Sequence, residues 1–96
     1  MTKAELVTKI SENLGLEKNE VLATVENLMT EIKNSLNAGE NVYLRGFGSF
    51  IVKERAEKTG RNISKNVAVK IPAHNIPAFK PAKVFVNGVK SKVEVA

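Results

Sequence analysis

The sequence predicts an α+β fold, on three observations. Apolar residues recur at helical spacing over residues 1–39, change to two-residue alternation after Gly39, and nearly vanish from a basic stretch between two alternating legs. Thr2-Lys3-Ala4-Glu5 opens the first helix as a capping box, in which the Thr hydroxyl and Glu carboxylate satisfy backbone N–H groups that lack a helical partner. Leu6, Val7, Ile10 and Leu14 form its apolar stripe, and Gly15 stands where a left-handed C-terminal cap belongs. A second helix is expected over residues 18–38. Val21, Val25, Leu28, Met29, Ile32 and Leu36 repeat there at three- and four-residue steps, Leu22 widens the face, and Gly39 closes it. The short link around Gly15 and Leu16 makes the pair an antiparallel hairpin.

From residue 40 to 81 the pattern is that of strands. Asn41-Val42-Tyr43-Leu44-Arg45 alternates, and Gly46-Phe47-Gly48-Ser49-Phe50-Ile51-Val52 continues as a strand punctuated by glycine. At period two, Phe50 and Val52 share one face while Phe47 and Ile51 share the other. A strand apolar on both faces is an aggregation hazard in water, so the helices are expected to cover one face and a second subunit the other. Lys53 to Asn66 then holds five basic and two acidic residues, with only Ala56 and Ile63 apolar. Val67, Val69 and Ile71 alternate with Ala68 and Lys70 as a returning leg, and Thr59-Gly60 with Arg61–Asn66 supplies turn chemistry. Such a hairpin cannot bury a core of its own, so residues 53–71 are expected to project as a ribbon. Its regular legs and basic bias favour a binding arm over a surface loop.

The last segment is mixed. Pro72, Pro77 and Pro81 divide residues 71–81 into extended pieces anchored by Ile76 and Phe79. Over 82–92, Val84-Phe85-Val86 reads as strand by propensity and Gly88 weakens a helix, whereas Pro81 suits the first position of a short one. The residues leave both open.

The 96 residues, 43% hydrophobic and 26% charged, fit a single globular domain spanning 1–96. A chain this size buries only about 60–65% of its unfolded surface. With no Trp and 5% aromatics, its core is expected to need a partner subunit. The absence of Cys excludes disulfide scaffolds and thiolate metal sites. No apolar run approaches the ~20 residues of a membrane span, and no secretory h-region follows Met1-Thr2-Lys3-Ala4-Glu5, so a soluble, intracellular chain without a membrane partner is expected. The net charge of +5 is unevenly placed, −2 over residues 1–38 and +7 over 39–96. That asymmetry suggests a structural half and a half that faces a polyanion.

Catalysis finds little to hold. His74 is the only His and lies between prolines in a loop, and no carboxylate pair has a convincing partner. Gly46-Phe47-Gly48 lacks the Gly-Lys-Ser/Thr of a phosphate loop, and metal-ligand spacing is missing. No enzyme, metal or cofactor is expected.

Three motifs together resemble one family: Arg45-Gly46-Phe47-Gly48-Ser49-Phe50, Arg55-Ala56-Glu57-Lys58-Thr59-Gly60-Arg61-Asn62, and Asn75-Ile76-Pro77-Ala78-Phe79-Lys80-Pro81. They resemble the bacterial histone-like DNA-binding family, which comprises HU and integration host factor, and the resemblance runs ungapped from about residue 1 to 90. It implies an intertwined homodimer with a helical-hairpin base (1–39), an antiparallel β saddle (40–81) bearing the arm 53–71, and a C-terminal helix and tail (82–96). Two protruding β-ribbon arms per dimer would reach around double-stranded DNA, and residues 82–90 would be helical. An HU-like member is cytoplasmic and nucleoid-associated, and bends DNA through the minor groove with little sequence specificity, compacting the nucleoid. A heterodimer with a paralogue stays open.

Carried over by position, the implied phosphate contacts are Lys3, Arg45, Lys53, Arg55, Lys58, Arg61, Lys70, Lys80 and Lys83. Asn62, Ile63 and Lys65 join them near the arm tip. The minor groove is only about 6 Å wide, too tight for a two-stranded ribbon unless the duplex widens and bends. One departure matters. The family places Pro after Arg-Asn as a wedge between base pairs; here the residue is Ile63, and a Gly usual three positions later is Asn66. Ile is itself among the wedges of minor-groove proteins, and Asn tolerates a left-handed turn. The tail from Ser91 to Ala96 extends past the family's usual end and has no assigned role.

Overall fold

The computed structural model describes residues 1–62 and 67–95. In chain order these form α1 (Lys3–Leu14), α2 (Lys18–Asn37), β1 (Val42–Leu44), β2 (Gly48–Arg55), β3 (Lys58–Asn62), β4 (Val67–Ile71), β5 (His74–Pro81) and α3 (Lys83–Lys92). The start of α1 is fixed by its cap, since Thr2 Oγ accepts from the Glu5 N–H at 3.2 Å. Its end is the left-handed Gly15, at φ 66°, whose N–H donates to the Ser11 carbonyl. Ser11 Oγ donates in turn to the Leu16 carbonyl at 2.6 Å, tying the link between the helices. α2 folds back on α1. Val7 and Val21, each 4% exposed, are the only buried hydrophobic side chains among the described residues.

The strands make two antiparallel sheets, one in the order β1-β2-β5 and one pairing β3 with β4. β2 and β5 pair from Gly48↔Pro81 to Arg55↔His74. The second sheet starts at Lys58↔Ile71 and runs to Asn62↔Val67. Ala56-Glu57 on one leg and Pro72-Ala73 on the other separate the two ladders; Pro72 has no N–H to give a ladder, which suits it to this break. β2 therefore stays in the three-stranded sheet through Arg55, and the separate ribbon begins at Lys58. The radius of gyration is 18.9 Å, well above the roughly 13 Å of a compact domain this long, as a projecting ribbon requires. Among the described residues no helix is long and apolar enough to cross a membrane.

All four phenylalanines gather at one end of the sheet. The Phe47 ring lies 5.2 Å from Phe79 and 5.5 Å from Phe85, and Phe50 lies 4.9 Å from Phe79. This corrects the alternation argument, which put Phe47 with Ile51 and apart from Phe50. Phe47 sits in a turn, not in the strand: left-handed Gly46, at φ 81°, swings it out of the period-two pattern and into the Phe50–Phe79 cluster. Ile51 shares its sheet face instead with Ser49, Lys53 and Arg55, so the face opposite the helices is mixed: partly buried Ile51, Ile76 and Ala78 lie between the exposed cations Lys53, Arg55 and Lys80. The exposed apolar surface lies elsewhere, on Phe47, Phe79, Phe85 and Val89 and along α1 and α2.

The strand reading of 82–92 also gives way, to α3. Phe85 stacks on Phe47 at an interplanar angle of 17°, and the Ala82 N–H donates to the Phe47 carbonyl at 2.9 Å. Phe85, Val86 and Val89 then line one apolar groove with Phe79 and Pro81, a packing that helical spacing gives and strand alternation would scatter. Lys90 and Lys92 stand in the last turn, where cations oppose the helix dipole favourably. Tertiary packing outweighs the β propensity of Val84-Phe85-Val86.

Gly48 is the tightest point of the sheet. A Cβ there would lie 2.6 Å from the Lys80 carbonyl oxygen and 2.7 Å from the Phe79 ring. Gly48→Ala should therefore cost about 1–3 kcal/mol in denaturant unfolding. Gly60→Ala, whose Cβ would meet only the Val69 carbonyl at 3.9 Å, should stay within about 0.5 kcal/mol of the unsubstituted protein.

Candidate nucleic-acid interface

Antiparallel pairing places directly opposed residues on the same face of a sheet, and each strand alternates faces. The registers Tyr43↔Ser49 and Ser49↔Lys80 thus make one row across all three strands. The same face continues with Ile51↔Ala78, Lys53↔Ile76 and Arg55↔His74. Lys53, Arg55 and Lys80 are exposed on it. Arg45, from the turn after β1, and Lys83, from the start of α3, join Lys80 around an open cleft of about 520 Å³ that Tyr43 and Ser49 also line. No carboxylate is in that lining.

The ribbon extends the cationic surface differently. Lys58 opposes Ile71 and Lys70 opposes Thr59, so the two lysines take opposite faces of the two-stranded sheet. The backbones of Arg61 and Asn62 pair with Ala68 and Val67 at the far end of the ladder. Ile63 and Lys65 lie outside the described residues, so the wedge expectation rests on sequence.

Two of the carried-over cations already hold carboxylates. Lys3 Nζ is 2.9 Å from Glu26 Oε1, joining α1 to α2. Lys70 Nζ is 3.0 Å from Glu57 Oε1, at the break between the ladders. Both pairs are half-exposed or more, so each contributes only about 0.2–1 kcal/mol and weakens in salt. Lys3 belongs to the helical hairpin and is not brought into the cleft with Arg45, Lys80 and Lys83. His74, expected in a loop, instead opens β5 opposite Arg55; its Nδ1 is 3.0 Å from the Pro72 carbonyl and, with its proton on that nitrogen, donates there.

Tyr43 and Ser49 are the residues that sequence reasoning passed over. Tyr43 and Ser49 meet across the β1–β2 hairpin, but their place in a row with Lys80 follows from the register of β2 with β5, far along the chain, for which no local pattern is a signal.

Lys3 and Glu26 offer a direct measure of the hairpin's ion pair. A double-mutant cycle of Lys3→Ala and Glu26→Ala should give a coupling of about 0.5 kcal/mol in thermal unfolding at low salt. The coupling should shrink toward zero in molar salt, where the screening length falls to about 3 Å.

Comparison with known proteins places these features in a family. The family described as Bacterial DNA-binding protein matches residues 1–90. The chain is 44% identical over 92 residues to the SPbeta prophage-derived DNA-binding protein HU 2 of Bacillus subtilis, covering 96% of this chain and 100% of that one. It is 40% identical over 90 residues to the DNA-binding protein HU of Geobacillus stearothermophilus, covering 94% and 100%. Among solved structures, the Anabaena HU–DNA cocrystal structure matches with a TM-score of 0.88 at 36% identity, over 93% of this chain and 97% of that one.

Proposed function

The chain belongs to the bacterial DNA-binding protein family, and from that premise we propose that it works as a homodimer that clasps and bends double-stranded DNA through the minor groove. It is an architectural DNA-binding protein of the HU kind. The observation that carries the finer reading is the cationic sheet face. Lys53, Arg55 and Lys80 share that face, Arg45 and Lys83 flank it, and the ribbon with Lys58 and Lys70 continues from its end. In this reading residues 1–39 form the dimer's base and 40–81 its saddle, with the arm within 53–71. Residues 82–96 supply the helix that closes the phenylalanine cluster, and a tail.

The division of charge supports the arrangement. Each protomer carries −2 before residue 39 and +7 after it, so a dimer of net charge +10 presents its positive excess on saddle and arms. Phosphates are met by Arg45, Lys53, Arg55, Lys80 and Lys83 on the body and by Lys58, Arg61, Lys65 and Lys70 on the arm, with Asn62 beside them. Lys3 contributes at the flank after leaving Glu26. Such contacts read backbone charge and shape rather than base sequence, which fits binding with little sequence preference and a role in compacting the nucleoid. The bacterial cytoplasm is the compartment this implies. In this reading the protein acts by binding and bending DNA rather than by transforming it.

Dimerisation follows from burial. Leu6, Leu28, Phe47, Phe85 and Val89 are each more than a third exposed in the single chain. Covering them with a second copy removes apolar surface from water at about 25 cal/mol per Å². Folding coupled to association makes the melting temperature concentration-dependent. A tenfold rise in protein concentration should raise it by about 4 °C in calorimetry, given about 2 cal/mol/K of unfolding entropy per residue.

Electrostatics and bending are separately measurable. If the dimer neutralises about eight phosphates, log K should fall against log salt with a slope near −7, and a flat response would remove the phosphate-contact reading. Ile63→Ala should lower the DNA bend angle, followed by energy transfer between the duplex ends, with only a modest loss of affinity. An unchanged angle would leave Ile63 without a wedge role.

A further inference from the structure

His74 is the only histidine of the chain, and it stands among the cations of the saddle. It opens β5 directly opposite Arg55, and residues so opposed have Cβ atoms about 5 Å apart on one face of the sheet. β2 is the strand beside it, and the charged residues that β2 places on that face are Arg55 and Lys53. Lys80 lies farther along β5 on the same face, whereas Glu54 faces the other way, opposite Asn75. Across the break between the ladders, Glu57 is paired with Lys70 at 3.0 Å. Among the described residues no carboxylate lies within ion-pair distance of the exposed imidazole. Its Nδ1 is 3.0 Å from the Pro72 carbonyl, which can only accept, so the proton of the neutral ring belongs on Nδ1. Nε2 is then an acceptor and has nothing to give a phosphate. A second proton goes to Nε2 and makes it a charged donor, with the bond to Pro72 left intact.

We propose that His74 is a further phosphate-binding residue of the saddle, one that engages DNA only as the imidazolium. Without DNA, a positive charge on His74 beside Arg55 and Lys53 is met by no anion. A phosphate drawn to those two cations supplies one, accepting from Nε2–H in a charge-assisted hydrogen bond. The complex then holds more protons than the free protein, so affinity rises as pH falls through the range in which imidazole titrates, about pH 5 to 8. Lysine and arginine side chains ordinarily stay charged over that range, so their contacts are constant. His74 thus makes the grip proton-dependent at the place where the saddle gives way to the ribbon. The proposal deepens the DNA-binding reading and rests on it.

The test is a salt titration of duplex binding by the full chain at pH 5.5 and at pH 8. The dimer proposed above carries two copies of His74, and each added phosphate contact steepens log K against log salt by about 0.9. The slope should therefore be about 2 steeper at pH 5.5. Affinity at low salt should be about tenfold higher there, for two exposed ion pairs. His74→Asn keeps an amide donor near the place of Nδ1 but cannot be charged, and should lose most of both differences. His74→Arg is charged at both pH values and should keep the steeper slope at both. The α-amino group also titrates within this window, but it is common to all three proteins, so the comparison isolates position 74. Because the chain has one histidine, its ring C–H signal in NMR reports on this group alone. At pH 7, added duplex should move that signal toward its low-pH position. A slope difference of full size in His74→Asn, or a ring signal that the duplex leaves in place, overturns the proposal. Failure to bind the duplex at either pH overturns the DNA-binding reading itself.

Discussion

The close crossing of β2 and β5 at Gly48 is the contact on which the rest depends. With no Cβ, Gly48 lets the Lys80 carbonyl and the Phe79 ring approach to distances no side chain would allow. That approach sets Gly48 opposite Pro81, and from it every later pair down to Arg55 opposite His74. Strand faces alternate with every residue, so a slip of one position would exchange them along the whole ladder. Lys53, Arg55 and Lys80 would turn toward the helices, and Phe50 and Phe79 would turn toward water. One glycine thus holds both the apolar cluster and the cationic face in place.

The two faces answer different physical demands. On one, the phenylalanines and α3 begin a core that a single chain does not finish, and the helical hairpin adds exposed Leu6 and Leu28 to the unfinished surface. On the other, cations stay exposed, where water screens their mutual repulsion until a polyanion replaces it. In the dimer proposed above, the second copy completes that core, which lets a small, aromatic-poor chain carry a long charged projection. The ribbon and the incomplete core are therefore two consequences of the same composition.

Local signals were legible and long-range ones were not. Thr2 and Gly15 mark α1 because caps are decided within a few residues, and the period change after Gly39 marks the switch from helix to sheet for the same reason. Phe47 escaped its expected face because a left-handed Gly46 breaks the alternation that the argument assumed. Val84-Phe85-Val86 misled by propensity, since only the fold brings Phe47 close enough to Phe85 to favour a helix. The Tyr43–Ser49–Lys80 row had no signal in sequence at all, because it exists only through the register of two strand pairs. The family motifs, by contrast, carried information about both ends of the chain at once. That is why the resemblance foresaw α3 where the residues left it open.

Charge counts alone misstate what the surface does, because a cation's value to a polyanion depends on what it must release. Lys3 and Lys70 each hold a carboxylate within 3.0 Å, so a phosphate gained there exchanges one anion for another. Arg45, Lys80 and Lys83 line a cleft without a carboxylate, so a phosphate arriving there displaces only water and mobile counterions. Counterion release is the part of the binding free energy that grows as salt falls. The salt-dependent attraction should therefore concentrate on the saddle and its cleft, while the ion-paired positions set which contacts form last. A chain of modest net charge can in this way grip a duplex firmly along one path, with its helical base adding only the late contact of Lys3.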